Sequence, residues 1–424
     1  MRRGCGRPPG TERTVTEAAG RAGFRVVFGV AEFRALWAAQ LLSVTGDQLA
    51  KVALTVLVYE RTNSALLAAL TFAASFVPSF AGGILLSGLA DRLPRRAVMI
   101  TCDLARMALA AVMSVRGIPL GVLVALLFAI TMIGAPFKSA RAAIYPEILA
   151  GDRYVTGTAV TLTTLQLGQV IGFAAGGAMT GLLGARACLL VDAATFGVSA
   201  LLVRIGVAAR PAAAASTARK TSAHAGLVAG VRLVLGNPAL RAPMLLGWIA
   251  AFYNAPEGIA APFGRALGGG AAATGLLLAF PAAGYTVGAL AFSRLLDSDR
   301  RERLMRPLAV ACCAILIPIA LRPDLPITLL ILAASGACAC FQVAANAAFV
   351  TATPPPQRSQ AFGLAAAGMS LGQGAAMALA GAAAQHLAPA VVIGAAGALG
   401  TVASIGLALP LAAGRSPGRA PDHA

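Results

Sequence analysis

Several charged side chains fall inside long apolar stretches of this sequence, and five of them are candidates for chemistry. Asp47 and Lys51 lie in one stretch, Asp103 and Arg106 in a second, and Glu257 in a third. A charge in an apolar segment is costly, so each one is expected to have a partner or a function. The chemistry open to such a carboxyl group is proton uptake and release, cation binding, or an ion pair.

Two of these acids are candidates for coupling to protons. Asp47 and Lys51 are four residues apart and share a helix face. The alternatives for Asp47 are a proton site, a cation-binding site, or one half of an ion pair within the helix. Glu257 has no basic neighbour in its own stretch, and it follows Tyr253, Asn254 and a proline. For Glu257 the alternatives are a proton site, a contact to a cationic substrate, or a hydrogen-bonded break in a helix.

Several kinds of catalytic chemistry are not expected. No glycine-rich loop ends in Lys-Ser or Lys-Thr, so we do not expect ATP hydrolysis within the chain. The three His and seven Cys residues do not have the spacing of metal ligands. We also find no combination of Ser, His and Asp that predicts a catalytic triad. We therefore predict no enzyme, no cofactor and no metal, and an ion gradient as the energy source, with the proton as the simplest ion.

The composition indicates an integral membrane protein. Of its 424 residues, 58% are hydrophobic and only 12% are charged, about half the charge that a soluble protein carries. The basic residues that give the chain its net charge of +18 lie between the apolar stretches. They have no aromatic neighbours on which nucleic-acid bases could stack. We therefore attribute the charge to membrane topology and predict no nucleic-acid partner.

Apolar stretches long enough to cross a bilayer, about 20 residues each, predict an all-α protein of twelve transmembrane helices in two pseudo-symmetric six-helix bundles. The predicted spans are residues 33–59, 65–89, 97–115, 119–137, 156–183, 187–207, 239–262, 272–293, 307–321, 325–350, 359–386 and 390–413.

Charge placement predicts the orientation and the domain boundaries. Only five of the 34 Lys and Arg residues fall in the loops on one side, so that side is predicted to face outward and both termini to face the cytoplasm. The predicted parts are a tail at 1–32, bundles at 33–207 and 239–413, a linker with a short amphipathic helix at 208–238, and a tail at 414–424.

A charged turn between the second and third predicted spans carries a recognisable motif. Leu89, Ala90, Asp91 and Arg92 are followed by Pro94 and the pair Arg95 and Arg96. This resembles the loop signature of the major facilitator superfamily, although Ser87 and Pro94 stand where glycines are usual. Further similar phrases, such as those at 43–49, 139–149 and 189–202, resemble the twelve-helix bacterial efflux branch typified by macrolide and enterobactin exporters.

The resemblance implies roles for particular residues. The charged turn, with Asp91, Arg92, Arg95, Arg96, Asp103 and Arg106, is expected to act as a gating network at the cytoplasmic side. In this superfamily the first, fourth, seventh and tenth helices line the central cavity. The candidate substrate contacts are then Gln40, Gln48, Lys51, Tyr253, Asn254, Gln342 and Asn346, although each Gln or Asn could instead bridge two helices.

The fifth predicted span contains Gly168, Gly172, Gly176 and Gly177, whose spacing permits close helix contact. The run resembles the exporter-associated Gly-Pro-Gly-Gly signature but lacks its proline. From these features we expect a secondary transporter in the cell membrane of a bacterium. The hypothesis is that it exports an amphipathic small molecule in exchange for protons; the alternatives are solute uptake and a non-transporting scaffold or sensor.

Overall fold

The computed structural model describes residues 25–76, 93–210, 231–234, 236–354 and 357–412. Within these ranges the chain forms helices and short connections, with no β-strand. The predicted gating residues Asp91 and Arg92 lie outside the described residues. So does most of the amphipathic helix predicted in the linker.

The helices follow the predicted order, and we number them as spans 1 to 12. In the first half they are Ala31–Thr62, Ala65–Ala73, Arg95–Met113, Leu120–Ile148, Asp152–Leu183 and Ala185–Gly206. Span 7 comprises Pro238–Trp248, Ala250–Tyr253, Ala255–Gly258 and Ala260–Ala266. The remaining spans are Gly270–Leu295, Ser298–Ala314 with a 3-10 turn at Ile317–Leu321, Leu325–Cys338 with Phe341–Ala352, Arg358–Ala383, and Pro389–Ala412.

Nine helices in the described part of the chain are long and apolar enough to cross a membrane. The other three spans have local reasons for falling short. Span 2 is described only over its first residues, span 3 carries Arg95, Arg96, Asp103 and Arg106, and span 7 is broken into short pieces. The chain is therefore an all-helical, multi-pass membrane protein.

Span 4 is longer than the sequence predicts. The expected end at residue 137 is wrong, because the helix continues to Ile148 through Lys138, Arg141 and Glu147. Hydropathy falls over this last part, but Phe137, Ala140, Ile144 and Tyr145 remain on one buried face. Packing of that face against spans 1 and 3 holds the polar end of the helix in place.

Spans 7 and 10 are interrupted near their middles. Span 7 is interrupted at Ile249, Asn254 and Ile259. Pro256 lies between the last two and has no backbone N–H for a helix bond. Span 10 is interrupted between Cys338 and Phe341. Broken helices at membrane depth are tolerated where they line a cavity, and both spans contribute residues to the wall of a central cavity.

The two halves meet at one end of the molecule, which we call the outer end because the predicted topology places it outside. There Gly177 of span 5 packs against Gly275 of span 8, and a Cβ added at Gly177 would lie 2.6 Å from the Gly275 Cα. On the opposite side, Gln385 donates a 2.6 Å hydrogen bond to Ser64. Arg265 also donates to Asn63 at 3.1 Å.

A buried apolar cluster seals the space beneath these contacts. It combines Val52, Phe72 and Phe173 of the first half with Ile259 and Phe263 of the second. At the opposite, inner end, the buried clusters of the described residues belong to one half each. In the described part of the chain, a buried apolar cluster therefore joins the two halves at the outer end, and none does so at the inner end.

Candidate functional site

A cavity of about 380 Å³ lies between the two halves, within the size range of small-molecule sites. Spans 1, 7 and 10 line it, as the resemblance implies. Span 4 contributes no described lining residue, whereas spans 2, 5, 8 and 11 do. The wall is part aromatic and part polar, so the cavity suits an amphipathic molecule.

Glu257 reaches this cavity from the broken part of span 7. The short helix that holds it begins after Asn254, whose carbonyl accepts the Glu257 backbone N–H at 3.0 Å. Within the described chain, the Glu257 carboxyl group has neither a hydrogen bond nor an ion pair. It is a half-buried acid held by a break in a helix and exposed to whatever occupies the cavity.

Lys51 faces the same cavity from span 1. The alternative of an Asp47–Lys51 ion pair is wrong, because Asp47 pairs with a different residue and Lys51 has no ion pair among the described residues. Gln48, one turn earlier, also lines the cavity. It is 6% exposed, and its buried Oε1 has no hydrogen-bond partner there.

Asp47 is instead bound by Arg106 of span 3. The Nη2 of Arg106 donates to both carboxylate oxygens at 2.7 and 2.8 Å, and such charge-assisted hydrogen bonds are stronger than neutral ones. Arg106 also lies 3.5 Å from Asp103 and 3.9 Å from the centre of the Phe196 ring. This pair cross-links spans 1 and 3 inside the first half.

Asp103 extends the same network to span 6. Its Oδ2 accepts a 2.5 Å hydrogen bond from Ser199, and both residues are fully buried. Asp103 and Arg106, predicted as gating residues, are thus brought together with Asp47 at the centre of the first half. They do not meet Arg95 or Arg96.

Arg95 and Arg96 belong to a separate group at the inner end. Arg95 forms an ion pair with Glu147 of span 4, and Arg96 donates to the Arg204 carbonyl at the end of span 6. Arg210 joins Glu147 at 3.6 Å. This group ties together the inner ends of spans 3, 4 and 6, and sequence reasoning did not identify Glu147 as a partner.

The predicted polar contacts in the second half gather around Tyr253. Gln342 donates a 2.6 Å hydrogen bond to the Tyr253 hydroxyl and a 3.3 Å bond to the Gly247 carbonyl. Both residues line the cavity, as does Asn254. Asn346 lines a neighbouring cavity of about 480 Å³ at the inner end.

Gln40 occupies a different environment. It is fully buried and donates to the Thr161 carbonyl at 3.3 Å, while its Oε1 accepts from Tyr145 at 3.2 Å. These bonds join spans 1, 4 and 5, and Gln40 lies outside the cavities described here. Of the two uses open to a membrane glutamine, the structure shows helix bridging.

Sequence reasoning missed several lining residues. Gln166, Gln169 and Gln373 project from spans 5 and 11, and Tyr285 projects from span 8. The signal that could have found them is a polar side chain in the middle of an apolar span, the criterion that identifies Gln48. These residues lie outside the four spans that the resemblance assigns to the cavity.

The central cavity continues toward the inner end. Tyr285 lines it together with the 480 Å³ cavity and a third cavity of about 350 Å³ between spans 5 and 8. Among the described residues, no group of three His, Cys, Asp or Glu could hold a metal ion. The arrangement can bind a small molecule from the inner side and expose it to one free carboxyl group.

A family profile matches nearly the whole chain. The profile of a major facilitator family described as "Transmembrane secretion effector" matches residues 26–423. No curated protein sequence matches the chain significantly.

Solved structures share the fold at low identity. A POT family transporter in complex with a thioalcohol-conjugated peptide is 12% identical, with 90% of this chain and 96% of that chain covered and a TM-score of 0.71. The nucleoside transporter NupG is 14% identical, with 89% of this chain and 98% of that chain covered and a TM-score of 0.66.

A bacterial homologue of the human lysosomal transporter Spinster, in an inward-facing and occupied conformation, is 14% identical. The match covers 91% of this chain and 98% of that chain, with a TM-score of 0.68. These likenesses establish the fold, and the family profile spans both halves of the chain. The chain therefore belongs to the transmembrane secretion effector family of the major facilitator superfamily, and it is a secondary transporter, not an enzyme.

Proposed function

We propose that this transporter exports an amphipathic small molecule across the cell membrane in exchange for protons. The observation that carries the proposal is Glu257, an acid without a described partner in the wall of the central cavity. Such a carboxyl group can bind a proton or a cationic group of the substrate, but not both at once. This competition would couple the entry of protons to the export of the substrate.

Glu257 is a better candidate for the coupling acid than Asp47. Asp47 already accepts two hydrogen bonds from Arg106 and is therefore engaged in a contact between two helices of the first half. The titratable or charged groups that share the cavity with Glu257 are Lys51, Tyr253 and Tyr285. We assign Glu257 to proton exchange and Asp47 to holding spans 1 and 3 together.

The cavity wall supports an amphipathic substrate. Phe72, Phe76 and Phe173 form an aromatic surface in which the rings of Phe76 and Phe173 are centred 6.5 and 6.4 Å from that of Phe72. Facing it are glutamine and tyrosine side chains with hydrogen-bonding capacity. An apolar body with a polar end can satisfy both surfaces, as in other small-molecule sites.

Two observations support export over uptake. The matching family is described by secretion, and the glycine run of span 5 resembles a signature associated with exporters. Under the predicted topology, the cavity of about 480 Å³ at the inner end would admit the substrate from the cytoplasm. Protonation of Glu257 from outside would then release it once the halves have rocked to their other arrangement.

The charge networks supply the gating part of the proposal. The inner group of Arg95, Glu147 and Arg210 would rearrange when the inner ends of the two halves come together. Asp91 and Arg92 are predicted to join it from the charged turn. Arg106 and Asp103 would keep the first half rigid as it moves.

The experiment begins with a growth-inhibition panel of amphipathic dyes and antibiotics on a host that lacks its own efflux pumps. A fluorescent dye whose tolerance rises is then followed in inverted membrane vesicles. We expect acidification of the lumen to drive dye into the vesicles, and a protonophore to stop it. Accumulation driven only by the opposite gradient would instead establish uptake.

A further inference from the structure

The central cavity presents one basic and one acidic side chain from opposite halves. Lys51 comes from span 1 and Glu257 from span 7, and both line the same space. Neither has an ion pair among the described residues, whereas Asp47, one turn from Lys51, is ion-paired with Arg106 of a neighbouring helix. The two free charges are beyond ion-pair distance from each other.

Unpaired charges at membrane depth are unfavourable unless something neutralises them. Nearby, the Oε1 of Gln48 is buried without a hydrogen-bond partner in the described chain, so this wall of the cavity can also accept a donor. Lys51, Gln48 and Glu257 together fit a ligand that has an anionic group near Lys51 and a cationic group with several hydrogen-bond donors near Glu257. Both groups must fit on one molecule within about 380 Å³.

We propose that the transported molecule is a zwitterion, whose ammonium group binds Glu257 and whose carboxylate or other anionic group binds Lys51. Its apolar part lies on the aromatic surface of Phe72, Phe76 and Phe173. This inference rests on the proposed function and names the substrate class. Because the ammonium group competes with a proton for Glu257, a zwitterion fits proton exchange, whereas a simple anion held by Lys51 would not.

Binding of matched probes tests the charge requirement without any pH gradient. Each set of four shares one apolar body and carries an amine, an acid, both, or neither. An example is phenethylamine, 3-phenylpropanoate, phenylalanine and 3-phenylpropanol, with naphthyl and biphenyl sets to fill more of the cavity. Binding is measured as the increase in the melting temperature of the purified protein.

For the unmodified protein we expect the zwitterion to raise the melting temperature more than the other three members of its set. Lys51→Gln should make the zwitterion equal to the amine, and Glu257→Gln should make it equal to the acid. Two control variants should keep the original ranking. Lys138→Gln removes the lysine of span 4, and Glu60→Gln removes an exposed acid at the outer end of span 1.

Three results would overturn the inference: an amine or acid that equals the zwitterion in the unmodified protein, an unchanged ranking in Lys51→Gln, or no stabilisation by any set. The double exchange Lys51→Glu with Glu257→Lys guards against simple misfolding, because it should restore the zwitterion preference that each single change removes. If the zwitterion proposal fails, the proposal of proton-driven export is unaffected, because export is tested separately by dye transport in vesicles.

Discussion

At the scale of single residues, the intramembrane charges divide by whether they have a partner. Asp47, Asp103 and Arg106 satisfy one another inside the first half, and Lys51 and Glu257 face the cavity without an ion pair in the described chain. A paired buried charge is costly to disturb, whereas an unpaired one is free to bind a ligand or proton. Substitutions of Asp47, Asp103 or Arg106 should therefore lower the stability of the protein. Substitutions of Lys51 or Glu257 should instead change transport.

Asp47→Asn should destabilise the protein because the Arg106 guanidinium, whose side chain is 5% exposed, then keeps only Asp103 at 3.5 Å as an ionic partner. Leaving a buried charge with no partner costs roughly 3 to 5 kcal/mol, and the remaining Asp103 brings the expected loss below that range. The measurement is thermal unfolding in detergent. The double variant Asp47→Asn with Arg106→Gln should lose much less unfolding free energy than the sum of the losses in the two single variants. Losses that simply add would show that the two residues do not act as a pair.

Sequence reasoning found these charges but not their partners. Hydropathy locates Asp47 and Glu257 because each interrupts an apolar run. Spacing along one helix then favours Lys51 as the partner of Asp47, whereas Arg106 is 59 residues away in sequence and comes within reach only through the packing of spans 1 and 3. Such a pairing depends on helix rotation, which one sequence does not specify.

At the scale of helices, small residues decide which spans approach closely. Gly172 and Gly176 of span 5 contact span 1: a Cβ added at Gly172 would lie 2.6 Å from the Thr45 carbonyl oxygen, and one at Gly176 would lie 2.9 Å from the Leu49 Cα. The predicted close contact of this glycine run is confirmed. A backbone neighbour cannot move aside as a flexible side chain can, so this contact is sensitive to added volume.

Gly172→Ala should therefore destabilise the protein by about 1 to 3 kcal/mol, the usual cost of overpacking. Gly181→Ala is the matched control in the same span, since its Cβ would meet its nearest neighbour only at 4.0 Å. Melting temperatures of both variants provide the comparison. Equal values would mean that spans 1 and 5 are not held by the glycine contact.

The glycines of span 11 show the limit of the same reasoning. The sequence predicts equally tight packing there, and a Cβ at Gly368 would indeed overlap the Trp248 ring. At Gly363 and Gly374, however, an added Cβ would have no neighbour within 4 Å. Spacing identifies a possible contact stripe, but the helix turns only part of it toward another span.

At the scale of the whole molecule, twelve spans and two halves follow from hydropathy and charge. Hydropathy and charge do not predict the breaks in spans 7 and 10 or the extension of span 4. These features depend on packing and on the cavity. The apolar cluster that joins the halves at the outer end of the described chain also follows only from the three-dimensional arrangement. It predicts that contacts at the outer end must separate during transport.

A short bis-methanethiosulfonate cross-linker, attached through disulfides, should join Ser64→Cys and Gln385→Cys, because the Gln385 amide reaches the Ser64 hydroxyl at 2.6 Å across the two halves and the linker replaces the length that cysteine lacks. It should stop dye exchange, and a reducing agent should restore it. Cleavage at a protease site inserted in the 208–238 linker shows whether the halves stay joined, and each single cysteine is the control. Normal exchange by the cross-linked protein would rule out separation at this point.

The central claim is that Glu257 exchanges protons with the substrate, and reconstituted Glu257→Gln protein tests it most directly. Dye counterflow, which needs binding and rocking but no proton gradient, is measured beside dye transport driven by an imposed pH gradient. The account predicts that Glu257→Gln keeps counterflow once the dye concentration is raised to offset the lost contact to its cationic group, but loses gradient-driven transport at that same concentration, while Glu60→Gln keeps both. Gradient-driven transport by Glu257→Gln at the unmodified rate would contradict it.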